Sequence, residues 1–558
     1  MTQGRSHAVR GGAATLAVGC VLVLLEVLPQ LASRTSPDVS WLLYTAERML
    51  AGERLYVDLI ETNPPLIVWL NLPPVLLSHL LGVPAAALYQ LLVAGLGAAS
   101  VLACAHLLGR ALEGETGLRH YVTAATVFVL FPLVRTNFGQ REHLALILTL
   151  PLAGLAAVRL RRVVVPPRSA IVIGVAAAVG IALKPYFVLP WLALEATVRV
   201  GGGQGLKMLP ETLAIVATGA IYVVLAILLA PAYWQLAPLI AGAYFDYLRN
   251  PLAVTALVGE GAAPVAAVLV IGLLLRRHAR HPALWSSLAA LTVGYYGAAV
   301  AQQKGWEYHF YPAFASSALL LALMAVDVRR PLGTLGRRAA AAAAGAGTAT
   351  LLAVAVSGCI AQAIAPRALR YELDPSLPAL LPIVERKASE GPVMVLSWSA
   401  ASAYPLIPDA GARSGLRFNF LWMVGSLYGA AVVRPEPLRY RSRAEMSPVE
   451  RYLNDAVAED LVTHRPALLI VLAPAPDDPR WGLRRIDLLT YFQRDQRFAA
   501  GFSRYRYVAT AGQYWVFERL AESSPPAPPR GRVSQWRPEE VAAARQAESS
   551  ARADPSAV

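Results

Sequence analysis

The sequence is poor in charge and in cysteine. Asp, Glu, Lys and Arg make up 15% of its 558 residues, where a soluble globular domain carries about 25%. That deficit excludes an ordinary water-soluble enzyme of this length. The three cysteines, Cys20, Cys104 and Cys359, lie in apolar runs, and none belongs to a CxxC pair. Neither a disulfide framework nor a thiolate zinc site follows from them. The histidines are scattered, and HExxH, GxSxG and the kinase motifs are missing, so those hydrolytic and phosphotransfer classes are set aside. GGGQG at 201–205 has neither a preceding strand nor a Walker continuation and reads as a flexible turn.

What the chain has is apolar length. Hydrophobic residues make up 56% of it, and its mean hydropathy is +0.47. Apolar runs recur at 12–32, 64–82, 84–108, 121–134, 143–158, 170–183, 186–198, 209–230, 262–275, 283–301, 312–326 and 339–362. About 20 apolar residues cross a bilayer as a helix, which satisfies its own backbone. The expected fold is an all-α polytopic membrane protein of about 11–13 transmembrane helices. Residues 1–32 read as a retained first helix, since the run shows no small-x-small cleavage site. The formal charge of +14 is read loop by loop as topology, and no nucleic acid partner is inferred from it.

Basic clusters orient the chain. Arg159, Arg161, Arg162 and Arg168 form one, Arg276, Arg277, His278 and Arg280 a second, and Arg329, Arg330, Arg337 and Arg338 a third. The positive-inside rule places them in the cytoplasm with the N-terminus. Loops 33–63, 231–261 and 302–311, and Lys184 at the tip of a helix pair, then fall outside. Four runs lie between 63 and 159 where an odd number of crossings is needed. The Pro-interrupted run 64–82 and the short run 121–134 are the ones suspected of not crossing. Residues 363–520 read as an extracytoplasmic mixed α/β domain, with strands at 393–398, 467–473 and within 505–518, and helices at 445–463 and 484–498. Residues 521–558, rich in Pro, Ser, Ala and charge, read as a disordered tail.

Loop 33–63 holds five carboxylates, Asp38, Glu47, Glu53, Asp58 and Glu61. Ser36-Pro37-Asp38 is a helix start, with Ser36 as N-cap and Pro37 at the first helical position. The helix runs to about Leu50 and is expected to lie along the membrane interface. Asp38 either complements the helix dipole or does chemistry. Glu61 stands just before Asn63-Pro64-Pro65, where the chain re-enters the bilayer. Cations fall on the same side: Lys184, Lys304 with His309, and Arg141 beside Glu142. A lysine in an apolar hairpin needs water or a partner, or snorkels to the interface. Cations gathered at headgroup level with carboxylates nearby suit a phosphate diester. Trp306 and Tyr308 belong to an interfacial belt or stack on a sugar ring.

The order of these features resembles the C-type glycosyltransferase superfamily of integral membrane enzymes. GERLYVDLIETNPPLIVWL (52–70), RE (141–142), ALKP (182–185) and QQKGWEYHFYP (302–312) carry the resemblance. It is nearest the branch of the protein O-mannosyltransferases and aminoarabinose transferases and covers roughly 12–362. The resemblance implies a polyprenyl-phosphate sugar donor and a catalytic acid in the first outer loop, which falls on Asp38. The residue before Pro-Pro is often a phosphate-binding lysine in that family; here it is Asn63. Phosphate binding then passes to Lys184 or Lys304. The first loop lacks an Asp-x-Asp pair, so neither a metal nor another cofactor is implied.

These readings combine into an inverting transferase in a bacterial inner membrane. Asp38 is the base, with Glu61 as a second acid, and takes the proton of an acceptor hydroxyl. Lys184 and Lys304, with His309 or Arg141, stabilise the departing lipid phosphate, and Glu142 and Tyr308 complete the substrate site. The acceptor, glycan or protein, leaves no mark on the sequence. A flippase for a lipid-linked glycan, or a scaffold for the outer domain, are the alternatives.

Overall fold

The computed structural model describes residues 35–203, 207–328, 374–433, 438–475 and 482–521. The expected first and last spans, the third basic cluster and the tail lie outside the described residues. The chain divides into two compact units, Met1–Asp374 and Pro375–Val558.

The first unit is helical. Its described helices are α1 (Pro37–Leu50), α2 (Leu66–Trp69), α3 (Leu72–Leu81), α4 (Ala85–Ala111), α5 (Thr116–Leu130), α6 (Arg141–Leu160), α7 (Pro167–Ala182), α8 (Val188–Gly202), α9 (Pro210–Leu229), α10 (Pro231–Asp246), α11 (Leu252–Val258), α12 (Ala262–Leu275), α13 (Pro282–Gln302) and α14 (Glu307–Asp327). Among the described residues five helices, α4, α6, α9, α13 and α14, are long and apolar enough to cross a bilayer. A sixth crossing is formed if α11 and the helix beginning at Ala262, which meet at 73°, count as one broken span. The 64–82 run is broken: α2 has 4 residues and α3 has 10. The two residues between them keep helical backbone, and together they form one apolar stretch, Leu66–Leu81, shorter than the five long helices.

Local chemistry sets the boundaries that matter. Ser36, extended before Pro37, accepts a hydrogen bond from the Val39 N–H at 3.4 Å and caps α1. Residues Val39–Ala46 are buried on all sides of α1, so this helix is embedded in protein rather than lying half in lipid as the sequence suggested. Pro185 forces Lys184 into extended backbone (φ −148°, ψ 141°) and stops α7 at Ala182. Segment 231–261, expected as a loop, contains α10 and α11. Helix α6 is the central helix, buried along most of its length and packed against α4, α7, α8, α13 and α14.

The second unit carries a four-stranded mixed sheet in the order β1-β2-β4-β3, with β1 (Val393–Leu396), β2 (Leu468–Leu472), β3 (Tyr505–Ala511) and β4 (Tyr514–Arg519). Strands β1 and β2 pair in parallel, and β4 runs antiparallel to β2 and β3. Both parallel strands are buried throughout, which explains their unbroken apolar sequence. The run 505–518 is a hairpin turned at Gly512, whose φ of +58° favours glycine. Helix 445–463 is realised as Pro448–His464; the expected helix at 484–498 is instead three short pieces ending at Phe502.

Candidate active site

Asp38 and Lys184, far apart in sequence, meet in one cluster. Arg141 at the start of α6 donates from Nη2 to Asp38 Oδ2 at 2.9 Å. The guanidinium is 8% exposed and the Asp38 side chain 29%, so the acid keeps an open side. Beside Arg141, Glu142 Oε1 accepts from Lys184 Nζ at 2.5 Å. Lys184 also donates to Gln302 Oε1 at 3.1 Å and lies 3.4 Å from His309 Nε2. Glu142, Lys184, Gln302 and His309 are all buried. Two opposite-charge pairs therefore stand side by side. Burial pulls the Lys184 pKa down to about 8, against the opposing attraction of Glu142.

Aromatic rings wall this cluster. The Lys184 ammonium stands 5.6 Å from the centroid of Tyr308. Tyr308 stacks on Trp306 at 5.7 Å and meets His309 edge-on at 4.4 Å. Trp306 also contacts Tyr247. Tyr244 lies within electrostatic reach of Arg141, Asp38 and Glu142.

Two expected site residues have other partners. Lys304 was expected to bind phosphate. Its Nζ donates to the carbonyls of Tyr244 at 2.9 Å, Phe245 at 3.1 Å and Tyr247. An ammonium has three donors, so in this geometry all are taken by the C-terminal end of α10. Lys304 is a helix clamp, and its charge complements the helix dipole there. Glu61 was expected as a second catalytic acid. Its Oε2 accepts from Trp41 Nε1 at 2.6 Å, and its Oε1 accepts from the Asn63 N–H at 2.8 Å, Asn63 Nδ2 at 2.5 Å and Thr62 Oγ1 at 3.3 Å. Buried among these donors, it fastens the loop to α1. The other loop acids have outlying partners: Glu47 pairs with His79, Glu53 with Arg48 and Asp58 with Arg54.

Gln302, Tyr244 and Tyr247 were missed by sequence reasoning. Gln302 stands two residues before Lys304, and the tyrosines lie in AYFDYLRNP, an aromatic-rich run. Among the described residues no group of three or more His, Cys, Asp or Glu is arranged to hold a metal ion.

No protein-family model and no curated protein sequence matches the chain. Solved structures do. ArnT from Cupriavidus metallidurans bound to undecaprenyl phosphate superposes with a TM-score of 0.57 at 14% identity, covering 92% of this chain and 99% of ArnT. The apo state of the same protein gives 0.53 at 15% identity, covering 93% and 100%. At these identities the likeness speaks for architecture, and it agrees with the resemblance carried by residues 52–70 and 302–312. The chain is a multi-pass integral membrane protein that shares the fold of ArnT.

Proposed function

We propose that the chain is a glycosyltransferase that moves a sugar from a polyprenyl-phosphate donor to an acceptor hydroxyl at the outer face of a bacterial inner membrane. The observation that carries this reading is the 2.9 Å contact between Asp38 and Arg141, with Lys184 in the same cluster. It joins a carboxylate with an open side to buried cations beside an aromatic wall. The undecaprenyl phosphate bound by ArnT supports a lipid phosphate as the leaving group.

Asp38 takes the proton of the acceptor hydroxyl as its oxygen attacks the anomeric carbon. The bond from that carbon to the phosphate oxygen breaks, and the electron pair leaves with the lipid phosphate. A single displacement inverts the anomeric centre. Arg141 bridges base and leaving group: one nitrogen orients Asp38, and the guanidinium charge stabilises the phosphate. Lys184 adds charge behind it, and Tyr308 and Trp306 supply the surface for the sugar ring.

Asp38→Asn is the test, on purified protein in lipid, with transfer from undecaprenyl-phosphate-linked sugars followed by mass spectrometry. Turnover is expected to fall by about 10²- to 10⁴-fold with an unchanged melting temperature. Full turnover in this variant would refute the proposal.

A further inference from the structure

Three buried polar atoms in the cluster have no hydrogen-bond partner among the described residues: Arg141 Nε, Glu142 Oε2 and His309 Nδ1. Buried polar groups are nearly always paired, so orphans gathered in one place point to a missing partner. Glu142 Oε1 lies 3.7 Å from His309 Nε2, and the Arg141 charge acts on both Glu142 and His309. Glu142 is 1% exposed and His309 2%.

The hydrogen-bond network settles what each orphan asks for. The Lys184 ammonium only donates, so at 3.4 Å the His309 Nε2 accepts. The ring proton then sits on Nδ1, and His309 offers a donor. Arg141 Nε is a donor too. Glu142 Oε2 is an acceptor, because the carboxylate is already bound to Lys184 through Oε1. A phosphate would satisfy the two donors and repel the carboxylate oxygen. A hydroxyl both donates and accepts, and neighbouring hydroxyls on one ring present that combination.

We propose that Glu142 Oε2, His309 Nδ1 and Arg141 Nε form a subsite for hydroxyl groups of the transferred sugar, with Glu142 as its specificity-determining residue. This rests on the glycosyl-transfer reading above. Glu142 then reads the sugar, while its bond to Lys184 fixes the direction in which Oε2 points. Removing one hydrogen bond to a charged group costs about tenfold to a hundredfold in binding.

The experiment compares binding of bare undecaprenyl phosphate with that of undecaprenyl-phosphate-linked hexose and pentose by the full chain in nanodiscs. The wild type is expected to bind at least one sugar-bearing lipid more tightly than the bare lipid. Glu142→Gln keeps an acceptor for Lys184 but removes the carboxylate. It is expected to lose about tenfold or more of that preference, read as the ratio of affinities for sugar-bearing and bare lipid. His309→Gln, whose side-chain oxygen can accept from Lys184 in place of Nε2 and which lacks the ring Nδ1 donor, is expected to lose the preference too. It carries the test if Glu142→Gln does not fold. An unchanged preference in both variants, or an equal loss for bare and sugar-bearing lipid, overturns the subsite. So does a wild type that binds bare and sugar-bearing lipids alike, which leaves the transferase reading standing. Binding of neither lipid by the wild type overturns both.

Discussion

Lys184 and Lys304 look alike in sequence, each a lone cation in an otherwise apolar stretch, yet the fold gives them different work. Lys184 meets acids; Lys304 meets carbonyls 57 to 60 residues back in the chain. No local pattern announces those carbonyls, because every residue has one. The helix start at Asp38 was legible because Ser-Pro-Asp is a local signal, whereas a part for Asp38 in catalysis came only with the resemblance; its Arg141 partner was legible only as another charge in the chain. Lys304→Ala is expected to lower the melting temperature, since even one buried carbonyl left unpaired costs about 1–3 kcal/mol. Its effect on lipid-phosphate affinity is expected to be small, as measured by titration with undecaprenyl phosphate. Lys184 sets a pH limit. With its pKa brought down to about 8 by burial, the ammonium is present below that pH and lost above it. Turnover is expected to fall as pH rises through about 8, and Lys184→Arg, which does not titrate there, is expected to flatten that limb. Stability runs the other way. Between about 8 and the ordinary lysine value of 10.5, the unfolded chain keeps a proton that the folded chain gives up. This group therefore favours the folded state increasingly as pH climbs through that window.

Helix α1 shows how an element carries an acid into place. Its cap, its proline and its apolar residues were all readable, and its limits came out as expected. Its burial was not readable, since an amphipathic segment beside a membrane suits lipid or protein equally. The partner is supplied by the rest of its own loop. Trp41 on α1 reaches Glu61, and Glu61 holds the backbone just before Pro64-Pro65. Glu61→Gln preserves size and an acceptor oxygen. It is expected to keep turnover within about tenfold of wild type, well short of the 10²- to 10⁴-fold loss for a general base. Glu61→Ala is expected to expose residues 52–65 to limited proteolysis. A loss in Glu61→Gln as deep as that of Asp38→Asn, with the loop still protected, would restore the acid to the chemistry. Helices α10 and α11 escaped sequence reasoning for a different reason. Pro231, Pro238 and Pro251, with Gly259 and Gly261, punctuate that stretch so often that loop was the simpler reading, yet Pro231 begins α10 and Pro238 is accommodated inside it.

Across the whole molecule the two units are stabilised differently. The second unit builds a polar interior under its sheet: the fully buried Glu450 accepts from Tyr428 Oη at 2.7 Å and Tyr491 Oη at 3.2 Å, and pairs with Arg441 at 2.9 Å. Glu450→Ala strips the acceptor from all three and is expected to destabilise this unit by about 1–3 kcal/mol, measured by chemical denaturation followed through its tyrosines. The strands of that unit were legible as apolar runs, whereas nothing in the sequence marks Glu450 as buried. In the first unit, Lys304 fastens the end of α10 to the turn that leads into Trp306, Tyr308 and His309. Trp234 and Phe245 on the same helix are exposed, an apolar surface open to lipid if α10 lies against the bilayer. A change in hydrocarbon thickness that tilts α10 would therefore be felt, through one lysine, at the aromatic wall. Reconstitution in lipids of increasing tail length is expected to alter turnover in the wild type and to do so less when Lys304 is replaced by alanine, making the protein a reader of the bilayer it sits in.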